Sequence, residues 1–170
     1  MSGFSDFYKE YVSPVYGFLL KLTQEPALAE ELTQETFYQA FLHIDHFEGK
    51  CKVFTWLCQI GKNAYYREIR RRNRYVAMDE SVLSGCDSVW NPNAELLDDI
   101  CRKEQIGRLK YHLLHLPEMY RDVFTMRVFG EVSYGELARL YGKSESWARV
   151  TCYRAKEQLV QRLEEDGHEN

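Results

Sequence analysis

Three observations on the 170 residues predict an all-α chain built as two small helical domains. Apolar residues recur at three- and four-residue spacing over most of the length, and no run alternates with the period of two that marks a strand. One central stretch, 76–93, loses periodicity and collects Ser, Gly, Asn, Pro and acidic residues. A composition of 45% hydrophobic and 14% aromatic residues supplies packed cores, so the aperiodic stretch reads as a linker between folded units. The expected domains are 1–75 and 94–170, joined by an acidic tether over 76–93.

In the first unit, Phe4, Phe7, Tyr8, Tyr11, Val15, Phe18, Leu19 and Leu22 trace an amphipathic helix with Pro14 as its one interruption. Pro26 opens a second pattern in which Leu28, Leu32, Phe37, Ala40, Phe41 and Ile44 form an inner stripe. Glu30, Glu31, Gln34 and Glu35 then face outward, and Gly49 is the expected stop. A third helix over Val53 to Arg72 buries Phe54, Leu57, Ile60 and Ala64 and ends in "YYREIRRRNRY", residues 65–75. The second unit restarts after Pro92 and runs from Ala94 to Leu163, punctuated at Pro117, Gly130, Ser133 and Gly142.

Charge is distributed unevenly. The net charge is -4 and the pI about 5.8, which argues against a uniformly basic nucleic-acid coat. Residues 62–75 are nevertheless strongly basic, and 76–101 carry six acidic residues with no Lys or Arg. A dense arginine run fits either a solvated helix end or a phosphate contact, and charge alone does not choose. The N-terminus lacks the pattern of a secretory signal, and no apolar run approaches the ~18 residues that span a bilayer, so a cytoplasmic location is expected. Cys51, Cys58, Cys86, Cys101 and Cys152 are widely spaced without a Cys-x-x-Cys pair, so reduced thiols and no metal or cofactor are expected. No Ser/His/Asp set, carboxylate pair or glycine-rich phosphate loop stands at a useful spacing, so no enzymatic centre is expected.

The most informative segment is "SYGELARLYGKSESWARVTCYRAKEQL", residues 133–159. Ser133 with Glu136 fits a capping box, and Gly142 can take the left-handed conformation that ends a helix. Ser144 can cap a second helix whose buried seam is Ala148, Cys152, Ala155 and Leu159. This is a helix-turn-helix, with Ser146, Trp147, Arg149, Val150, Tyr153 and Arg154 left outward on its second helix. Arginine pairs with guanine edges in a major groove, while hydroxyls and further cations hold phosphates. Lys143 at a turn position that is usually apolar, and the bulk of Trp147, depart from a tidy example of the motif.

Taken in order, "AEELTQETFYQAFLHIDHFEG", "FTWLCQIGKNAYYREIRRRNR", an acidic linker, "LLHLPEMYRDVFTMRVFGEVSYGELARLYGKS" and "WARVTCYRAKEQL" resemble the extracytoplasmic-function group of bacterial RNA polymerase sigma factors. The resemblance implies sigma region 2 over 1–75 and sigma region 4 over 94–170. It implies a polymerase subunit that directs core RNA polymerase to promoters, engaging its β′ clamp helices and β flap. The clamp-binding helix of the family maps onto Glu31, Leu32, Gln34 and Glu35.

For the melted −10 element, the resemblance points to Phe47 and Trp56 for stacking and Asn63 for hydrogen bonding to an unpaired base. Arg67, Arg70, Arg71, Arg72 and Arg74 fall where promoter phosphates around the melted segment run. For the −35 element it points to Ser146, Trp147, Arg149, Val150, Tyr153, Arg154 and Lys156, with Val150 suited to a thymine methyl. It also implies promoter DNA as a partner and an anti-sigma factor, often membrane-bound. A helix-turn-helix regulator that never joins the polymerase is the alternative; it would need neither the "LTQETF" ridge nor the constellation from Phe47 to Asn63.

Overall fold

The computed structural model describes residues 2–78 and 95–168. Seven α-helices follow one another: α1 (Ser2–Thr23), α2 (Pro26–His43), α3 (Val53–Met78), α4 (Glu95–Leu114), α5 (Glu118–Val128), α6 (Tyr134–Tyr141) and α7 (Glu145–His168), with one 3-10 turn at Ile44–His46. Among the described residues there is no strand, in line with the all-α expectation. The stretch 79–94 lies outside the described residues, as do Cys86 and the side chains of Cys101, Asp98 and Asp99.

The stripe read from the first helix is the one that packs: Val15, Leu19 and Leu22 are fully buried and Phe18 nearly so. Pro14 lies on the exposed side of α1, where water can meet the carbonyl left without a helical donor. Pro26 occupies the first turn of α2, where its missing N–H costs nothing.

The inner face of α2 differs from the expectation. Leu28, Ala29, Leu32, Thr33, Thr36, Phe37 and Ala40 are buried, whereas Phe41 and Ile44 are 57% and 37% exposed. Thr33 and Thr36 explain the rotation. Their hydroxyls donate back to Ala29 O and Leu32 O at 2.6 Å each, which satisfies them inside the core and lets the face turn toward them. The helix also stops at His43 instead of reaching Gly49, while α3 continues to Met78, so the first three residues assigned to the linker are helical.

Helices α1, α2 and α3 form one bundle, and α4 to α7 form the other, with α7 packing against α4, α5 and α6. The bundles do not stand apart. One contiguous buried cluster runs from Phe18, Leu22 and Leu57 to Val123, Met126, Val132 and Leu137. Gly130 sits at this junction: a β-carbon there would lie 2.8 Å from Met126 O and 3.5 Å from the Phe18 ring.

Candidate nucleic-acid and partner-binding faces

The helix-turn-helix forms as its capping residues dictate. Ser133 Oγ accepts from the Glu136 N–H at 3.2 Å, and Gly142 adopts φ 64°, the left-handed conformation open to glycine. The Lys143 N–H donates to Ala138 O at 2.9 Å, so the turn at Lys143 is closed by backbone and the lysine side chain is exposed. Ser144 Oγ accepts from the Trp147 N–H at 3.0 Å and starts α7. The seam Ala148, Cys152, Ala155 and Leu159 is buried as read, joined by Thr151. Burial pushes the Cys152 thiol up, away from the reactive thiolate.

Ser146, Arg149, Val150, Tyr153, Arg154 and Lys156 are all exposed on α7. Trp147 is not. It is half-buried with its ring 5.7 Å from that of Tyr141, so it braces the two helices of the hairpin instead of facing outward. Arg149 is held by Glu145 at 2.7 Å and lies 5.2 Å from the centre of the Tyr134 ring. A short exposed groove beside it is lined by Met119, Tyr120, Ser146, Trp147, Val150 and Arg154.

In the first bundle, Phe47 and Trp56 come together, with ring centres 4.9 Å apart and planes 32° from parallel. Both are half-buried, which leaves part of each ring open. Spacing on α3 puts Trp56, Asn63, Arg67, Arg70 and Arg74 on one ridge, since intervals of seven, four, three and four residues return to the same side of a helix. All but Trp56 are exposed.

The arginine run is thereby divided. Arg71 donates to Glu68 at 2.7 and 2.9 Å, and Arg72 is shared between Glu68 and Glu25 at 3.2 Å each. Hydrogen bonds from Arg71 and Arg72 hold the Glu68 carboxyl below its ordinary range. Arg67, Arg70 and Arg74 carry no ion pair among the described residues. Periodicity would have separated the two sets; composition treats the run as one.

On α2, Glu31 and Gln34 are exposed, and Glu35 is half-buried and accepts from Gln39 at 2.9 Å. Leu32 does not belong with them: it is buried in the bundle core, because it shares the face of Leu28 and Thr36. Missing from the sequence reading are Tyr38, Phe41 and Leu42, which are 58%, 57% and 49% exposed. They continue the Glu31 and Gln34 face by the same three- and four-residue steps, so the outward face of α2 is acidic in its first half and apolar in its second.

A second stripe of α3 was not foreseen as a site at all. Glu136 does not complete its capping box on Ser133. Its carboxylate accepts from the Lys52 N–H at 2.8 Å and the Thr55 hydroxyl at 3.0 Å, capping the start of α3, and its other oxygen takes Arg139 at 2.9 Å. Burial alone would raise this carboxyl, but the Lys52, Thr55 and Arg139 donors outweigh it and hold it below its ordinary value.

Two turns beyond Thr55, Lys62 is wholly buried against Asp122 at 3.1 Å, Gln59 at 2.6 Å and the Tyr141 hydroxyl at 3.3 Å. Burial lowers its ammonium pKa and Asp122 opposes the shift. Tyr66 closes the stripe, with its hydroxyl 2.7 Å from that of Thr125 and its ring under the Arg121 guanidinium at 4.1 Å. No candidate metal cluster and no helix long and apolar enough to cross a membrane occurs among the described residues.

Comparison with known proteins assigns both bundles. Residues 7–75 match the family description "Sigma-70 region 2", and residues 107–159 match "Sigma-70, region 4". The chain belongs to the sigma-70 family, in its extracytoplasmic-function group. The curated protein "ECF RNA polymerase sigma factor SigM" of Bacillus subtilis is 29% identical over 156 residues, covering 91% of each chain. "RNA polymerase sigma factor YlaC" of the same organism is 27% identical over 96% of this chain and 94% of its own.

Among solved structures, the sigma factor RpoE of Bartonella quintana, in complex with the anti-sigma factor NepR, shares the fold at TM-score 0.58 and 20% identity. That match covers 96% of this chain and 98% of the other. CnrH, in complex with the cytosolic domain of CnrY, does so at TM-score 0.58 and 18% identity, over 96% and 88%. Region 2 of this sigma factor is therefore the α1–α3 bundle, and region 4 is the α4–α7 bundle that carries the helix-turn-helix.

Proposed function

We propose that this sigma factor joins core RNA polymerase and directs it to promoters by two separate readings of DNA. The observation that supports this most is the pair of outward faces on one chain in the order of the family. Region 4 offers Arg149, Val150, Tyr153 and Arg154 to the major groove of a −35 element, where arginine can pair with a guanine and valine can contact a thymine methyl. Region 2 offers the open parts of the Phe47 and Trp56 rings to an unstacked base of the −10 element, with the exposed Asn63 amide two turns along the same ridge.

Arg67, Arg70 and Arg74 extend that ridge and neutralise phosphates, which positions the strand and makes binding salt-dependent without reading sequence. Arg71 and Arg72 have a smaller share in this reading, because Glu68 and Glu25 already balance their charge. Trp147 positions the recognition helix from behind. Core polymerase meets the α2 face of Glu31, Gln34 and Glu35, extended by Tyr38, Phe41 and Leu42, and Leu32 supports that face from inside. The β′ clamp helices are the partner surface for α2 and the β flap for region 4.

The chain has no catalytic chemistry of its own in this reading, and it works in the cytoplasm. An anti-sigma factor, membrane-bound in many members of the family, restrains it; the structural relatives solved with anti-sigma partners support that expectation. The test is transcription in vitro with bacterial core polymerase and a promoter library. Initiation that depends on the chain is the expected result, and its absence with every core tested overturns the proposal.

A further inference from the structure

We propose that the cavity between the α1–α2 turn, α3 and α4 is a binding site for a small amphipathic anion, an apolar body that carries one carboxylate. Such a site goes beyond the promoter reading above and does not depend on it.

The cavity measures about 540 Å³, within the range of pockets that hold small organic molecules. Its walls are mainly apolar, with Leu22, Leu28, Ile69 and Leu113 beside the rings of Tyr65 and Tyr66. Leu22, Leu28 and Leu113 belong to the buried cores, so packing fixes these walls before any ligand arrives. Asn63, Arg67 and Arg149 do not line it, which separates the cavity from the faces assigned to DNA.

The charged groups on the walls do not balance. Arg72 and Lys110 stand against one carboxylate, Glu25, and Glu25 is taken by Arg72 at 3.2 Å. Lys110 is half-buried and makes no ion pair among the described residues; its ammonium donates to Thr23 O. Burial lowers its pKa, and Glu25, beyond ion-pair distance, only partly opposes the shift. Two of its three N–H donors are left for a ligand.

Tyr65 supplies a further unused donor. Its side chain is 5% exposed, yet its hydroxyl has no hydrogen-bond partner among the described residues and is not sealed from solvent, so it opens on the cavity that its ring lines. Tyr66 next to it is different, because its hydroxyl lies 2.7 Å from that of Thr125. Burial raises the Tyr65 pKa to about 12, so the group keeps its proton at neutral pH. A buried donor without a protein partner is what a ligand oxygen satisfies.

One carboxylate answers both donors, accepting a charge-assisted bond from Lys110 and a neutral one from Tyr65, while the leucines take the apolar body. A cationic amphiphile would meet Lys110 and Arg72, and a dianion would set its second charge against Glu25.

The test titrates the isotope-labelled full chain with decanoate, and in parallel with decanol, which keeps the apolar body without the charge. Two-dimensional NMR reads affinity and location, and far-UV circular dichroism confirms helix content. Decanoate is expected to give saturable shifts in the backbone signals of 22–28, 65–73 and 107–115. Decanol should bind about ten-fold more weakly. Lys110→Gln is expected to weaken decanoate about ten-fold and Tyr65→Phe about three-fold, the sizes of a charge-assisted and a neutral hydrogen bond. Lys9→Gln, on the exposed side of α1 and outside the lining, should bind as the wild type does.

The absence of saturable shifts overturns the proposal, and so does decanol that binds as tightly as decanoate. Shifts confined to the neighbourhood of Tyr38 and Phe41 would put the binding on the exposed apolar face of α2 and overturn it as well. Wild-type affinity in both Lys110→Gln and Tyr65→Phe has the same meaning. Should Lys110→Gln lose helix content, Tyr65→Phe, which removes a single oxygen, decides.

Discussion

Helix α3 carries two stripes about 80° apart, and they have opposite fates. Trp56, Asn63, Arg67, Arg70 and Arg74 face outward, with three arginines that have no ion pair among the described residues. Thr55, Gln59, Lys62 and Tyr66 turn toward region 4 and are satisfied there, Lys62 so completely that its side chain is wholly buried, and the backbone N–H of Lys52 just before the helix is capped from the same side. Both stripes are polar in sequence. Polarity therefore does not mark a surface; what distinguishes the stripes is whether another part of the chain supplies matching groups.

The contrast is sharpest at Lys62. Asp122→Ala leaves a buried ammonium without its carboxylate, and an uncompensated buried charge costs about 3–5 kcal/mol. The expected outcome is a loss of that order in denaturant unfolding, smaller if the bundles part and hydrate the lysine. An exposed stripe should behave otherwise: Arg67→Ala is expected to leave stability within about 0.5 kcal/mol. Equal losses for the two variants would erase the distinction between the stripes.

The recognition helix gives the next effect. Arg149→Ala is expected to lower discrimination at the upstream element by about 1–3 kcal/mol in competition binding if the arginine pairs with a guanine. A uniform loss on all sequences would place Arg149 among the phosphate contacts, on the same footing as Arg67.

Acidification probes the covered stripe by itself. The Glu136 carboxyl is held below its ordinary value of 4.5, so its stabilisation is fully present above that value and is lost as pH falls through the lowered one. Wild type should melt above Glu136→Gln at neutral pH, and the gap should close below about pH 4. A gap that persists in acid would show that packing, not the charge, holds the contact.

The smallest effect separates members of the arginine run. Arg67→Ala should reduce the salt dependence of DNA binding by about one unit of slope. Arg71→Ala should change it less, because Glu68 already balances that guanidinium. Identical slopes would return the run to a single undivided patch.

Much of this was legible beforehand. The helix-turn-helix was readable residue by residue because its determinants are local: a serine accepting from the next turn, a glycine at φ 64°, and a seam spaced four, three and four. The outward face of α7 followed from that seam except at Trp147, which packs against Tyr141 instead. The α2 face was only partly readable, since Thr33 and Thr36 entered the core by bonding their own backbone and so rotated Phe41 outward. Leu32 was assigned to the polymerase face by position in a motif although its own periodicity placed it inside.

By itself the sequence determined the two bundles, their order, the hairpin and the location of the basic ridge, because each depends on neighbours within a few turns. Only the tertiary structure decided where Glu136 points and what surrounds Lys62. Glu136 stands in a local capping pattern, yet its carboxylate reaches residues 81 and 84 positions away, where two donors at a helix start outbid the one at Ser133. A carboxylate goes to the strongest converging set of donors, and donors that converge from separate segments leave no periodic trace in a sequence.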